Sequence, residues 1–386
     1  MNNHSFSRMM MGAAVAAGAC LGSMGCSSRP QTTSTTIDSE EQLMLVGTYT
    51  NAGSEGIYSL RFNQSNAEWQ LLDSAQVSNP SFLAIDSRRE LIYSVSENGG
   101  PKDALVLLSI NPTDGAMQQK GSWTTQGAAP CYVSFGPHAA ATANYSGGSL
   151  SLFPLDEQGV PAPLDTLFLG ECTGADPERQ EAAHVHCAIF SPDQRYLFAT
   201  DFSSDRLLRF ATNDSAPLLS QPQVAATIEP GSGPRHLTFA PDGRHAYLIS
   251  ELSGMVHSFA YQAETGELTL QQVIETDSVH ARGSAHILLS PDGRFLYASN
   301  RLEHEGIAIF AVNPTNGQLT PAGYQLTGRH PRHFALTPNG HYLLAACRDS
   351  NCIEIYLRDT DTGALAPTGK SIPLSKPVFV GWFMQE

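Results

Sequence analysis

One frame recurs seven times along this chain, and it leaves few folds open. Counting seven residues back from the turn prolines Pro192, Pro241, Pro291 and Pro338 reaches Val185, Pro234, Ser284 and Pro331. The same slot extends to Pro80, Pro130 and Pro377, at intervals of 46 to 55 residues. Each unit reads as an apolar strand, a tight turn, a second apolar strand ending in a polar residue, then a third strand and a polar fourth. In the unit at Pro234 the predicted strands are 236–240, 245–250, 255–261 and 268–275, separated by turns at 241–244 and 264–267. Helical periodicity is absent. A four-stranded unit of this length in tandem is the signature of a β-propeller.

Counting the units sets the blade number. The last frame, 377–386, has room for about one strand. The segments 44–49, 56–63 and 69–76 supply the other three. The prediction is an all-β, seven-bladed propeller with four antiparallel strands per blade, whose final blade is closed by the N- and C-terminal strands. Closure of that kind leaves no exposed strand edge at the junction.

That geometry turns slots into a pocket. The start of the first strand and the end of the second lie on one face of the disc, near its central channel. The residues after the slots are Ser81, Cys131, His186, Arg235, Ala285, Arg332 and Val378. The residues predicted to end the second strands are Glu97, Asn144, Asp201, Glu251, Arg301 and Arg348, with Asn144 and Asp201 offset by shorter turns. Arginines converging in an acidic protein point to an anionic ligand held by fork-shaped donors. Taken one at a time, each arginine could equally pair with a carboxylate such as Glu251 or Glu97. His186 is the acid/base candidate, because its ordinary titration lies near neutrality and Glu251 or an arginine can tune it. His184 alternates with His186 along an extended segment, so one of the two faces the channel. By the same alternation His236, His286 and His333 are expected to turn into the blades. His184 and His186 with Asp201 are two or three ligands without metal spacing, so no metal and no cofactor is expected.

Composition narrows the partners. Net charge is −15, from 22 basic and 37 acidic residues. That argues against nucleic acid and against anionic lipid headgroups. Residues 1–26 read as an export signal: Arg8, an apolar stretch over 9–19, then small residues leading to Cys20 and Cys26. Cys26, ahead of the Ser/Thr/Pro-rich run 27–36, is the expected lipidation site, with Cys20 the competing acceptor and plain cleavage the alternative. The expected organisation is a signal over 1–26, a flexible tether over 27–41 and the propeller over 42–386. The protein is expected to be a monomer in the periplasm, touching membrane only through that anchor. Cys131, Cys172, Cys187, Cys347 and Cys352 are odd in number; Cys172 with Cys187, or Cys347 with Cys352, are the pairings open to an exported chain.

Several stretches together resemble a known family. Val185-His186-Cys187-Ala188, Gly233-Pro234-Arg235-His236, Ser250-Glu251-Leu252 and the run Leu296 to Arg301 look like the propeller lactonases. Gly47-Thr48-Tyr49-Thr50 and Ala143-Asn144-Tyr145 match as well. That family includes bacterial 6-phosphogluconolactonases of the propeller type and fungal carboxy-muconate lactonizing enzymes. The resemblance implies a seven-bladed propeller without a metal, with His186, Arg235, Glu251 and Arg301 as the catalytic set. It adds Tyr145 to a substrate-binding group of Glu97, Asn144, Asp201, Arg332 and Arg348, although Arg348 departs from the family's pattern.

The function expected is hydrolysis of a small anionic sugar lactone, in which His186, with or without Glu251, activates water while Arg235 and Arg301 hold charge. A lactonizing cycloisomerase using the same residues, and a non-catalytic binding propeller of the envelope, are the alternatives.

Overall fold

The computed structural model describes residues 40–384. Seven sheets of four antiparallel strands fill this range. Six blades run consecutively: 83–124, 130–169, 185–227, 234–275, 284–326 and 331–373. The seventh joins Pro377–Phe383 to Glu41–Thr48, Gly56–Asn63 and Trp69–Gln76, in that order outward. Each first strand touches the first strand of the next blade, and Pro377–Phe383 contacts both Pro331–Leu336 and Leu83–Asp86, so the ring closes. The expected fold and its closure by both termini are therefore what the chain adopts. Two single-turn 3₁₀ helices, Phe202–Ser204 and Arg348–Ser350, are the helical elements among the described residues.

Local chemistry accounts for the hairpins. In 241–244 Gly243 adopts φ +65° and a Cβ there would meet nothing, so glycine is chosen for its left-handed backbone rather than for space. Asp242 accepts the Arg244 amide at 2.8 Å and holds the turn from the side. The first two strands of each blade are apolar along their length, because both faces pack against neighbouring blades. Fully buried Leu197, Phe198, Tyr247, Leu248, Leu296 and Tyr297 are typical. Three fully buried tyrosines of the second strands find a backbone acceptor in the next blade: Tyr93 donates to the Gly159 carbonyl at 2.7 Å, Tyr247 to Gly317 at 2.9 Å and Tyr297 to Gly363 at 2.8 Å. These bonds stitch blades together where strand ladders cannot.

The five cysteines among the described residues are free thiols. Cys347 and Cys352 face each other in one ladder, whereas Cys172 is exposed and Cys187 is buried. The signal segment and its acceptors Cys20 and Cys26 lie outside the described residues, as does most of the tether.

One irregularity of the first strands positions the site. In six of the seven blades the ladder slips at the slot: Pro234 pairs with Ser250 and His236 with Ile249, leaving Arg235 unpaired between them. The same slip follows Pro130, Val185, Ser284 and Pro331, and it recurs where Pro377 and Phe379 flank Val378. A bulge interrupts the alternation of faces and lets two successive side chains point the same way.

Candidate active site

The bulges build two stacked layers in the channel. The outer layer holds Ser81, Cys131, His186, Arg235, Ala285, Arg332 and Val378. Beneath it lie Phe82, Tyr132, Cys187, His236, His286, His333 and Phe379. Phe82 stacks on Tyr132 at 4.1 Å between ring centroids and meets the edges of His236, His333 and Phe379. His286 stacks on His333 at 3.8 Å, and its Nδ1 lies 3.0 Å from Nδ1 of His236. The expectation that these three histidines turn into the blades is therefore corrected: the bulge at the slot brings them to the channel as its floor.

Strand register also corrects part of the second ring. Asn144 pairs with Pro130 and Asp201 with Val185, as Ser250 pairs with Pro234. The equivalents of Glu251 are thus the next residues, Tyr145 and Phe202, and in the closing blade Tyr49. Asn144 is fully buried and spends its side chain on Ser149 at 3.0 Å, Ser151 at 2.8 Å and Thr142 at 3.1 Å. Asp201 is equally buried and turns along the blade to Arg206 at 3.2 Å. Neither reaches the mouth.

At the mouth one carboxylate holds three arginines. Glu251 Oε2 accepts from Arg235 Nε at 2.8 Å and lies 3.0 Å from Arg301 Nη2. Its Oε1 accepts from Arg179 Nη2 at 2.8 Å. Those guanidiniums, Arg301 first, hold the Glu251 carboxyl well below the usual carboxylate range despite its burial. A carboxylate so held is a poor base. It is the anion around which the cations assemble.

The arginines are aimed from behind by backbone. Arg235, 1% exposed, donates Nη1 to the Ala285 carbonyl at 2.6 Å and lies 3.2 Å from Nε2 of His236. Burial and then the charges of Arg301 and Arg332 push Arg235 down to about 9, so it still carries its charge at neutral pH. Arg301 donates Nε to the Gly283 carbonyl at 2.7 Å.

His186 is buried in the neighbouring blade beside this cluster, with its Nδ1 enclosed and without a hydrogen-bond partner. Burial, reinforced by the charge of Arg235, holds its imidazole well below 6.5, with Glu251 opposing. It is therefore neutral and able to take a proton. His184 stacks on Tyr145 at 4.1 Å between ring centroids, whereas His186 lies against His236 of the channel floor at 5.1 Å, so of the alternating pair His186 is the one that faces in.

The remaining polar residues divide. Arg332 lies over the Tyr49 ring at 5.6 Å, and the Tyr49 hydroxyl donates to Glu97 Oε2 at 3.1 Å, so Glu97, Tyr49 and Arg332 line the far wall. Arg348 instead forks onto its own neighbour Asp349 at 2.9 and 2.8 Å, and Asp349 also binds Lys376 at 2.9 Å. Its fork is spent at the rim.

Sequence reasoning missed Arg179, Tyr49 and His330, a buried histidine whose Nε2 lies 3.5 Å from Arg301 Nη1. Tyr49 occupies a ring slot and lay within a quoted motif. Arg179 belongs to the insertion over 170–184, and the one signal for it is that the slot interval containing it is the longest, 55 residues.

Among the described residues no group of three or more His, Cys, Asp or Glu side chains is arranged to hold a metal ion. A cavity of about 400 Å³ opens on the opposite face between blades 130–169 and 185–227, lined by His138, Phe190, Tyr196 and Leu218. It contains no ring residue, and the convergent charge lies at the mouth.

The family model described as lactonase, 7-bladed β-propeller, matches residues 43–382. This chain belongs to the seven-bladed β-propeller lactonase family. A lactonase relative from Formosa agariphila, named 6-phosphogluconolactonase, is 35% identical over 331 residues, 83% of this chain and 94% of its own. A Bacteroides uniformis structure described as a candidate 6-phosphogluconolactonase is 51% identical with a TM-score of 0.86, covering 89% of this chain and 99% of that one. The Pseudomonas aeruginosa periplasmic gluconolactonase is 31% identical with a TM-score of 0.81, and covers the same 89% and 99%. The chain is thus a lactonase-family hydrolase, and the cluster at the mouth is its candidate centre.

Proposed function

We propose that this protein opens a sugar lactone to its acid, with His186 as general base and Arg235 and Arg301 as the cationic wall. The observation that carries the proposal is a buried imidazole with an unpartnered nitrogen beside three guanidiniums that share a single carboxylate. Water attacks the ring carbonyl while His186 accepts its proton. The oxygen that becomes anionic is met by Arg235 and Arg301, preorganised by Glu251 and by backbone carbonyls. The imidazolium then returns its proton to the departing ring oxygen as the carbon–oxygen bond breaks.

Replacing His186 by Gln is expected to lower kcat by about 10²–10⁴-fold on the lactone that the wild type turns over fastest. Assays on 6-phosphogluconolactone and gluconolactone measure this. The pH profile checks the assignment separately. A base held below 6.5 is already deprotonated there, so kcat/KM stays level as pH falls through 6.5 and drops only further into acid. An acid limb at or above 6.5 would overturn His186 as the base.

We also infer export. The signal-like residues 1–26 agree with a relative described as periplasmic. Mass analysis of the mature N-terminus is expected to show a lipid on Cys26; an unmodified terminus or one at Cys20 would replace that assignment.

A further inference from the structure

We infer that Arg179, on the insertion over 170–184, is the specificity-determining residue for an anionic group at the end of the substrate remote from the ring carbonyl. The inference rests on the lactonase reading for what the mouth binds, and adds which part of the substrate each arginine meets.

The insertion is a strap laid across the mouth. It leaves the blade at Thr166–Leu169 and returns at Val185–Phe190. Gln180 pins it down, donating Nε2 to the Phe202 carbonyl at 2.8 Å and to Asp205 at 2.9 Å, while its Oε1 accepts the Asp176 amide at 2.9 Å. Asp176 reaches over the next blade to an ion pair with Arg282, which precedes the strand Ser284–Leu289. Between these anchors Arg179 hangs over the mouth. It touches three blades: Tyr145 Oη at 3.1 Å, the Phe202 ring at 5.7 Å and Glu251 at 2.8 Å.

Exposure separates the arginines by task. The side chains of Arg235 and Arg301 are 2% and 6% exposed, with donors committed to backbone carbonyls, and both bear on His186. They serve the reacting carbonyl. The Arg179 side chain is 37% exposed and makes its hydrogen bonds through Nη2 alone, so its Nη1 and Nε donors are open to a ligand. One carboxylate shared by three guanidiniums leaves surplus positive charge, and Arg179 carries the accessible share of it. A phosphate or a second carboxylate on the substrate would accept from the remaining Nη1 and Nε donors of Arg179.

The product acids test this without turnover. Gluconate, glucarate and 6-phosphogluconate share the carboxylate made in the reaction and differ at the far end, which is neutral, a carboxylate or a phosphate. Calorimetric titration of the full chain is expected to show tighter binding of the acids with a charged far end. Arg179→Gln is expected to lose about 10- to 100-fold for those two and little for gluconate, the size of one charged hydrogen bond. Arg179→Lys should restore part of the difference. Arg282→Ala, which frees the strap without touching the mouth, should weaken it in the same direction. Whichever charged acid loses more identifies the anion. Equal losses on all three acids would overturn the assignment and make Arg179 a support for Glu251, as would a wild type that binds all three alike. If discrimination is present but the wild type hydrolyses no lactone, the specificity assignment stands and the hydrolase reading falls.

Discussion

Glu251→Gln is expected to destabilise the protein by about 3–5 kcal/mol, the usual cost of removing one partner from a buried ion cluster. The side chain is nearly isosteric, so the loss reports charge rather than volume. In its place Arg235 and Arg301, 1% and 5% exposed, would face each other and Arg179 with no counter-charge. Denaturant titration at neutral pH measures it, and a variant as stable as the wild type would overturn the role of Glu251 as the cluster's anion. Activity should fall as well, by about 10²-fold or more, because the arginines lose the acceptor that aims them. The pH profile distinguishes this from loss of a catalytic base. Glu251 raises the His186 imidazole and Arg235 lowers it, so without the carboxylate the acid limb of kcat/KM should move further down. An acid limb that vanished instead would make Glu251 the titrating base.

The repeat made the fold legible, because each blade restates the same proline slot and turn, and the register of one unit predicts the others. The same logic reached His186, Arg235, Glu251 and Arg301, which occupy slots in three successive blades. It failed where a residue's place depends on something the frame does not encode. Period-two alternation sends His236 away from Arg235, but the bulge between Pro234 and His236 turns both inward, and no residue type marks a bulge of this kind. Asn144 and Asp201 looked like strand-end polar residues, yet ladder register puts them one step early, and their polarity serves Ser149, Ser151 and Arg206 instead. Arg179 lies in an insertion with no counterpart in other blades, so repeat comparison had nothing to align it with. Its partner Glu251 was visible, and three arginines on one carboxylate is a fact of three dimensions.

The channel floor leads to the second large effect, a steep loss of stability in mild acid. His186, His236, His286, His330 and His333 are all buried, and burial holds each below 6.5, His286 as far as about 3. The groups facing them explain why no carboxylate rescues most of them. His236 meets Arg235, His286 and the rings of Phe82 and Tyr132; His333 meets His286, Phe82 and Phe379. His186 has Glu251 against Arg235, Arg301 and Arg332, and His330 has Asp349 at 3.6 Å against Arg301 and Arg348. In the unfolded chain these imidazoles protonate near 6.5, while in the folded one they stay neutral. Stability from this source is therefore complete above 6.5 and lost as pH falls below it, at about 1.4 kcal/mol per pH unit for each histidine that remains neutral. If three of the five do so, about 3 kcal/mol disappears between about pH 6.5 and 5.5, a large share of a typical folding free energy. The melting temperature is expected to hold steady above about pH 7 and to fall steeply below 6.5, with unfolding near pH 5.5 taking up about three protons or more. Glu251 and Asp349, held low by their cations, begin to withdraw stability only as pH falls into the ordinary carboxylate range, so the loss between about pH 6.5 and 5 belongs to the histidines. His286→Phe removes one titrating group from a site already lined by rings, and should reduce the proton uptake by about one. A melting temperature flat from about pH 7 to 5 would show the channel histidines charged in the folded state, and a cationic floor beneath Arg235 in place of a neutral one.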